Sequence, residues 1–141
     1  MEGLTGYVYR RAHHAYFAPL DTYYTPFISN KKIRNRERHD VLPEHNEGMH
    51  VIPQILTNRA DDFLEIEKQL YEYGYREVNL NLGCPSGTVT AKGRGAGFFS
   101  ISRRVEQIFC IRYIKNENED FCKNKDWHFI RGGVATVINT V

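Results

Sequence analysis

Cysteine is scarce in this chain: 141 residues carry three, with no close Cys-x-x-Cys pair. That spacing argues against a disulfide framework and against a zinc site, and leaves free thiols. Charge of one sign is equally sparse, with 19 Lys and Arg against 17 Asp and Glu and a net charge of +2, too little to argue for nucleic-acid binding from charge balance. No run approaches the ~18 apolar residues of a membrane span. The opening Met1-Glu2-Gly3-Leu4-Thr5-Gly6 lacks the basic start and apolar core of a secretory signal, so the expected setting is cytoplasmic, with no membrane partner and no metal. Low-complexity segments and short internal repeats are also missing. What remains, 41% hydrophobic and 26% charged residues, is the composition of a globular domain.

Along the chain, Thr5 to Tyr16 has the length of a short helix. Tyr23-Tyr24-Thr25-Pro26-Phe27-Ile28 is β-prone, but Pro26 removes a ladder donor, so a strand there is short or ends at the proline. Ser29 to Met49 is polar and reads as loop; within it Lys31, Lys32, Arg34, Arg36 and Arg38 cluster. His50-Val51-Ile52-Pro53-Gln54-Ile55-Leu56 is a nearly continuous apolar run, as in a strand covered on both faces, with Gln54 interrupting it. Thr57 or Asn58 can cap a following helix in which Phe63, Ile66 and Leu70 recur at helical spacing and Gly74 supplies the stop. A second strand follows at once. Strand, helix and strand joined by short connections form a βα repeat, which favours parallel pairing.

That second strand carries the chemistry. Val78, Leu80 and Leu82 alternate with Asn79 and Asn81, so one face is apolar and the other presents carboxamides. Pro85 stops the strand and leaves Cys84 at its mouth. In a TIM, or (β/α)8, barrel the reactive groups project from the carboxyl ends of the strands, which makes Cys84 and Asn81 the leading candidates. A whole barrel needs about 250 residues, and this chain could supply roughly half of one. The expected fold class is therefore α/β, a partial TIM barrel made of its amino-terminal βα units. Gly93, Gly95 and Gly97 lack the Gly-x-Gly-x-x-Gly spacing of a dinucleotide loop, and His45-Asn46-Glu47-Gly48-Met49-His50 lacks the His-Glu-x-x-His spacing of a helical zinc motif.

Met1 to Phe99 resembles the amino-terminal part of a tRNA-dihydrouridine synthase, a flavoprotein family built on a TIM barrel plus a helical domain. The likeness rests on Met1-Glu2-Gly3-Leu4-Thr5-Gly6 with Arg10, on Pro53-Gln54, and on Asn79-Leu80-Asn81-Leu82-Gly83-Cys84-Pro85 with Gly93, Gly95 and Ala96 downstream. In that family a short strand ending Ala-Pro precedes the first motif, so the first barrel strand is expected to be missing here. The resemblance implies FMN as cofactor, NADPH as reductant and tRNA as partner. It places Met1 and Glu2 in the loop approaching the flavin, Gln54 in hydrogen bonding to it, Asn81 against the target uridine, and Cys84 as the catalytic acid. The implied reaction reduces the uracil C5–C6 double bond. A thiol of ordinary pKa, about 8.5, is mostly protonated at neutral pH, as a general acid must be. The basic run from Lys31 to Arg38, by itself a solvated loop, becomes under the resemblance a candidate contact for tRNA phosphate. Competing expectations are an inactive remnant with no specific ligand, or another FMN-dependent TIM-barrel reductase.

Beyond Phe99 the likeness stops. The family continues with a helix and a strand written Val-Lys-x-Arg-x-Gly, and Ser100 to Val141 contains no such pattern. One allowed set of codons for Lys115 to His128, read one base later, spells Lys-Met-Lys-Met-Lys-Ile-Ser-Val-Lys-Thr-Arg-Ile-Gly. The expected organisation is therefore residues 1–99 as barrel and residues 100–141 as a frameshift-derived tail. That tail is expected to be irregular and poorly ordered, with Cys110 and Cys122 carrying no function and Arg104 to Ile114 at most a marginal helix.

Overall fold

In the computed structural model the described residues are 3–18, 20–100, 129–130 and 134–138. The first element is helix α1 (Tyr7–Tyr16), followed by strand β1 (Tyr23–Ile28), helix α2 (Asn35–Val41), strand β2 (Val51–Ile55), helix α3 (Ala60–Glu72), strand β3 (Glu77–Asn81) and the single turn α4 (Gly87–Thr90). Strands β4 (Phe129–Ile130) and β5 (Val134–Ile138) complete one sheet of order β1-β2-β3-β5-β4. β1, β2 and β3 run parallel, as a βα repeat requires. β5 joins β3 antiparallel, Asn79 opposite Thr136 and Asn81 opposite Val134.

The core lies between the sheet and α3. Phe63, Ile66 and Leu70 of α3 pack with Val78 and Leu80 of β3, Ile55 of β2 and Ile28 of β1, each at most 4% exposed. α3 ends where Gly74 takes a left-handed φ of 93°, with Tyr75 N donating to Leu70 O at 3.2 Å and Gly74 N to Tyr71 O at 2.9 Å, the paired bonds of a Schellman stop. Its start differs from the sequence expectation. The flanking residue is Arg59, because Thr57 Oγ1 accepts from Arg59 N at 3.1 Å and the Asn58 carboxamide is drawn off to Lys92 O at 2.8 Å. Asp61 and Asp62 in the first turn supply the favourable negative charge instead.

Three further features add to the sequence expectations. β1 does not end at Pro26; it runs to Ile28 through a shift in register between Tyr24 and Phe27, and β1 is an edge strand, where proline is tolerated. The segment 29–49 is not all loop: α2 and a 3-10 turn at Pro43–His45 occupy part of it. α2 is anchored by the wholly buried Val41 and started by Glu37, whose carboxylate accepts from Arg34 N at 2.8 Å. Finally, the segment expected to be irregular contributes β4 and β5. Val134 to Ile138 is rich in β-branched residues, and it satisfies the edge of β3 that would otherwise lie open. The expected helix over Arg104 to Ile114 lies outside the described residues.

Candidate active site at the carboxyl ends of the parallel strands

Because Val78 and Leu80 face α3, the pleat turns Asn79 and Asn81 to the opposite face of the sheet. Parallel register sets Gln54 of β2 beside Asn79. The three carboxamides meet: Asn81 Nδ2 donates to Gln54 Oε1 at 2.9 Å, and Gln54 Nε2 donates to Asn79 Oδ1 at 2.9 Å. Asn79 is wholly buried, whereas Gln54 and Asn81 are half-buried. At the β1 bulge Thr25 Oγ1, also wholly buried, accepts from Gln54 N at 3.1 Å and donates to Pro26 O at 2.8 Å. The hydroxyl serves where the bulge interrupts the regular ladder.

Beyond Asn81 the chain folds back on that residue. Asn81 Oδ1 accepts from Gly83 N at 3.1 Å and from Cys84 N at 3.0 Å, which caps the strand end and fixes the backbone of Cys84. Cys84 is a free, half-buried thiol. Its carbonyl accepts from Ala96 N at 3.0 Å, which brings the glycine-spaced loop against it. A Cβ at Gly95, whose φ is +54°, would stand 2.6 Å from Cys84 O and 2.9 Å from Cys84 Cβ. Only glycine fits there without displacing the cysteine.

The same end of the sheet carries exposed positive charge. Lys31, Lys32, Arg34, Arg36 and Arg38 lie along the loop that follows β1 and along α2, all five exposed, and Arg94 Nη1 reaches Ser29 O at 3.5 Å to tie the β1 and β3 loops together. A cavity of about 330 Å³ lies elsewhere, at the amino-terminal ends of β2 and β3, lined by Pro43, Met49, Tyr73 and Tyr75 among others. His50 and Glu77, also in its wall, face each other at 3.6 Å. None of the candidate reactive groups reaches it.

Residues 1–115 match the family described as Dihydrouridine synthase (Dus). The chain belongs to the dihydrouridine synthase family. Similar proteins of that family include the probable tRNA-dihydrouridine synthase of Staphylococcus aureus (strain COL), 29% identical over 101 residues, which are 69% of this chain and 30% of that protein. The counterpart from Staphylococcus epidermidis (strain ATCC 12228 / FDA PCI 1200) is 28% identical over 101 residues, 69% of this chain and 31% of that protein. The probable tRNA-dihydrouridine synthase 1 of Synechocystis is 29% identical over 109 residues, 77% of this chain and 30% of that protein. The matched segment spans less than a third of the length of these relatives.

In this member of the family, Gln54, Asn81 and the backbone N–H of Cys84 are brought into one hydrogen-bonded group, while Met1 and Glu2 lie outside the described residues. Sequence reasoning overlooked Thr25 and gave Asn79 no role. The signal for Asn79 was present, since the alternation that turns Asn81 inward turns Asn79 with it. Thr25 carried no such signal, because its role comes from the bulge. Arg10, quoted with the opening motif, proves to be a clamp: it is 1% exposed and donates to Thr5 O at 2.6 Å, Asp40 O at 2.6 Å and Asn46 Oδ1 at 2.8 Å. Burial pulls its guanidinium below the ordinary value, and Asp40 opposes that pull. Burial likewise pushes the Tyr75 phenol up against a hydrogen bond from Asn46, so it remains a donor to Val41 O at 3.0 Å. The clamp ties Thr5, just ahead of α1, to Asp40 of α2 and to Asn46.

Proposed function

We propose that this chain is part of the barrel of a tRNA-dihydrouridine synthase, a cytoplasmic flavoenzyme that reduces the C5–C6 bond of uridine in tRNA with FMN and NADPH. The observation that carries the reading is the hydrogen-bonded group Gln54–Asn81–Cys84 at the carboxyl ends of parallel strands, where a barrel of this kind keeps its chemistry. The donor set fits a flavin and a pyrimidine: both present carbonyl oxygens and ring nitrogens, and half-buried carboxamides are suited to them. Gln54 binds the flavin, with Met1 and Glu2 in the adjoining loop, and Asn81 orients the uracil. When bound, reduced FMN supplies the hydride that saturates C6. Cys84, held at its N–H by Asn81 and at its carbonyl by Ala96, delivers a proton from its thiol to C5. The target base must leave its stack to arrive there, and the cations from Lys31 to Arg38 take the surrounding phosphates.

FMN titration of the purified chain, followed by flavin fluorescence, tests cofactor binding directly. Unmodified tRNA with NADPH, assayed by mass spectrometry for a gain of two hydrogens, tests the reaction in a version of the chain extended to the full length of its relatives. In that version Cys84→Ala lowers turnover by about 10²–10⁴-fold, the usual worth of a positioned acid, with the flavin absorbance intact. Turnover retained by the alanine variant refutes the acid role. The alternative is an inactive remnant with no specific ligand, and absence of flavin quenching is the result that reading requires.

A further inference from the structure

The direction of the carboxamide chain is dictated from one end. Backbone N–H groups only donate, so the Asn81 atom facing Gly83 N and Cys84 N is its oxygen, and its nitrogen faces Gln54. Gln54 must then turn its oxygen to Asn81 and its nitrogen to the oxygen of Asn79. Two amide NH2 groups, Gln54 Nε2 and Asn81 Nδ2, each spend one N–H inside this chain and keep the second. Asn79, wholly buried, supplies the acceptor for Gln54 Nε2, and without that acceptor Gln54 could rotate and expose its oxygen instead. We propose that Asn79 is a positioning residue that locks the Gln54 carboxamide, so that Gln54 and Asn81 present a pair of N–H donors to acceptor atoms of the bound ring. Ligand edges made of carbonyl oxygens or unprotonated ring nitrogens satisfy that pair; an N–H edge leaves it opposed. The assignment of the ring as flavin or uracil rests on the function proposed above.

The test uses the full chain labelled with 15N. In the wild type the Gln54 Nε2 proton donated to Asn79 is expected to lie away from the position of a free glutamine amide. Asn79→Leu keeps the branched shape but removes the acceptor; the signal of the proton donated to Asn79 then moves toward the value of a free glutamine amide, and the FMN dissociation constant rises about fivefold to tenfold, the worth of one net hydrogen bond. Asn79→Asp restores an acceptor and restores both readouts, which a role in packing does not explain. If Asn79→Leu fails to fold, as judged by its backbone spectrum, Asn79→Ser replaces it, its hydroxyl being too short to reach Gln54. A Gln54 signal that sits at the free-amide position in the wild type, is unchanged in a folded Leu or Ser variant, or is not rescued by aspartate overturns the proposal. Should the wild type leave FMN fluorescence unquenched, the flavin reading fails while the amide signals still decide the role of Asn79.

Discussion

Single residues at this site act through geometry that small substitutions disturb. Gly95→Ala adds one methyl group, yet the left-handed backbone costs about 1–2 kcal/mol for an L side chain, and crowding against the Cys84 carbonyl adds about 1–3 kcal/mol. The urea midpoint is therefore expected to fall by the equivalent of about 3 kcal/mol at unchanged slope; an unmoved midpoint would show that the loop yields freely and does not hold Cys84. Arg10→Met strands the acceptors at Thr5, Asp40 and Asn46 and is expected to cost about 3 kcal/mol by the same measurement. Arg10→Lys recovers little of this, since an ammonium cannot span a fork of three acceptors. Recovery to wild-type stability by lysine would mean that charge, not the fork, is what the clamp needs.

At the scale of elements, legibility depended on periodicity. β3 declared itself because its apolar and carboxamide residues alternate, and the same alternation foretold that Asn81 leaves the core face. α3 was equally plain, from Phe63, Ile66 and Leu70 to Gly74. α2 was hidden, since its seven residues are almost all polar and its single buried contact, Val41, is set by tertiary packing. The β1 bulge was hidden for the same reason, as Pro26 could be read as an end but not as an interruption. Because α3 covers the reverse of the strands that carry Gln54 and Asn81, its core contacts support the site from behind. Ile66→Ala is expected to lose about 2–5 kcal/mol, whereas Glu65→Ala, outside the core, changes stability by less than about 0.5 kcal/mol. Equal effects in thermal or urea unfolding would mean that α3 is not packed on β2 and β3.

For the whole molecule, the turning point is the far edge of β3. Three parallel strands call for a fourth parallel neighbour if the sheet is to close into a barrel, yet the neighbour of β3 is the antiparallel β5. An edge strand accepts whatever β-prone segment reaches it, so this pairing does not require that Val134 to Ile138 was selected to lie there. We propose that the reading frame changes near Phe99 or Ser100. The family match runs on to residue 115, beyond the Phe99 at which the quoted motifs end, and from Lys115 a one-base shift spells Val-Lys-x-Arg-x-Gly within a strand-like run. The nucleotide sequence across codons 95 to 130 is expected to hold one inserted or missing base relative to that frame. On that proposal, restoring the frame supplies a parallel strand for the edge of β3 and the lysine of Val-Lys-x-Arg-x-Gly, which the family resemblance assigns to the flavin, so the longer chain is expected to bind FMN at least about tenfold more tightly, the worth of one charge-assisted contact. Codons that give no strand-like reading in the shifted frame, or equal FMN affinity in both chains, would show that the antiparallel β5 is the native partner of β3.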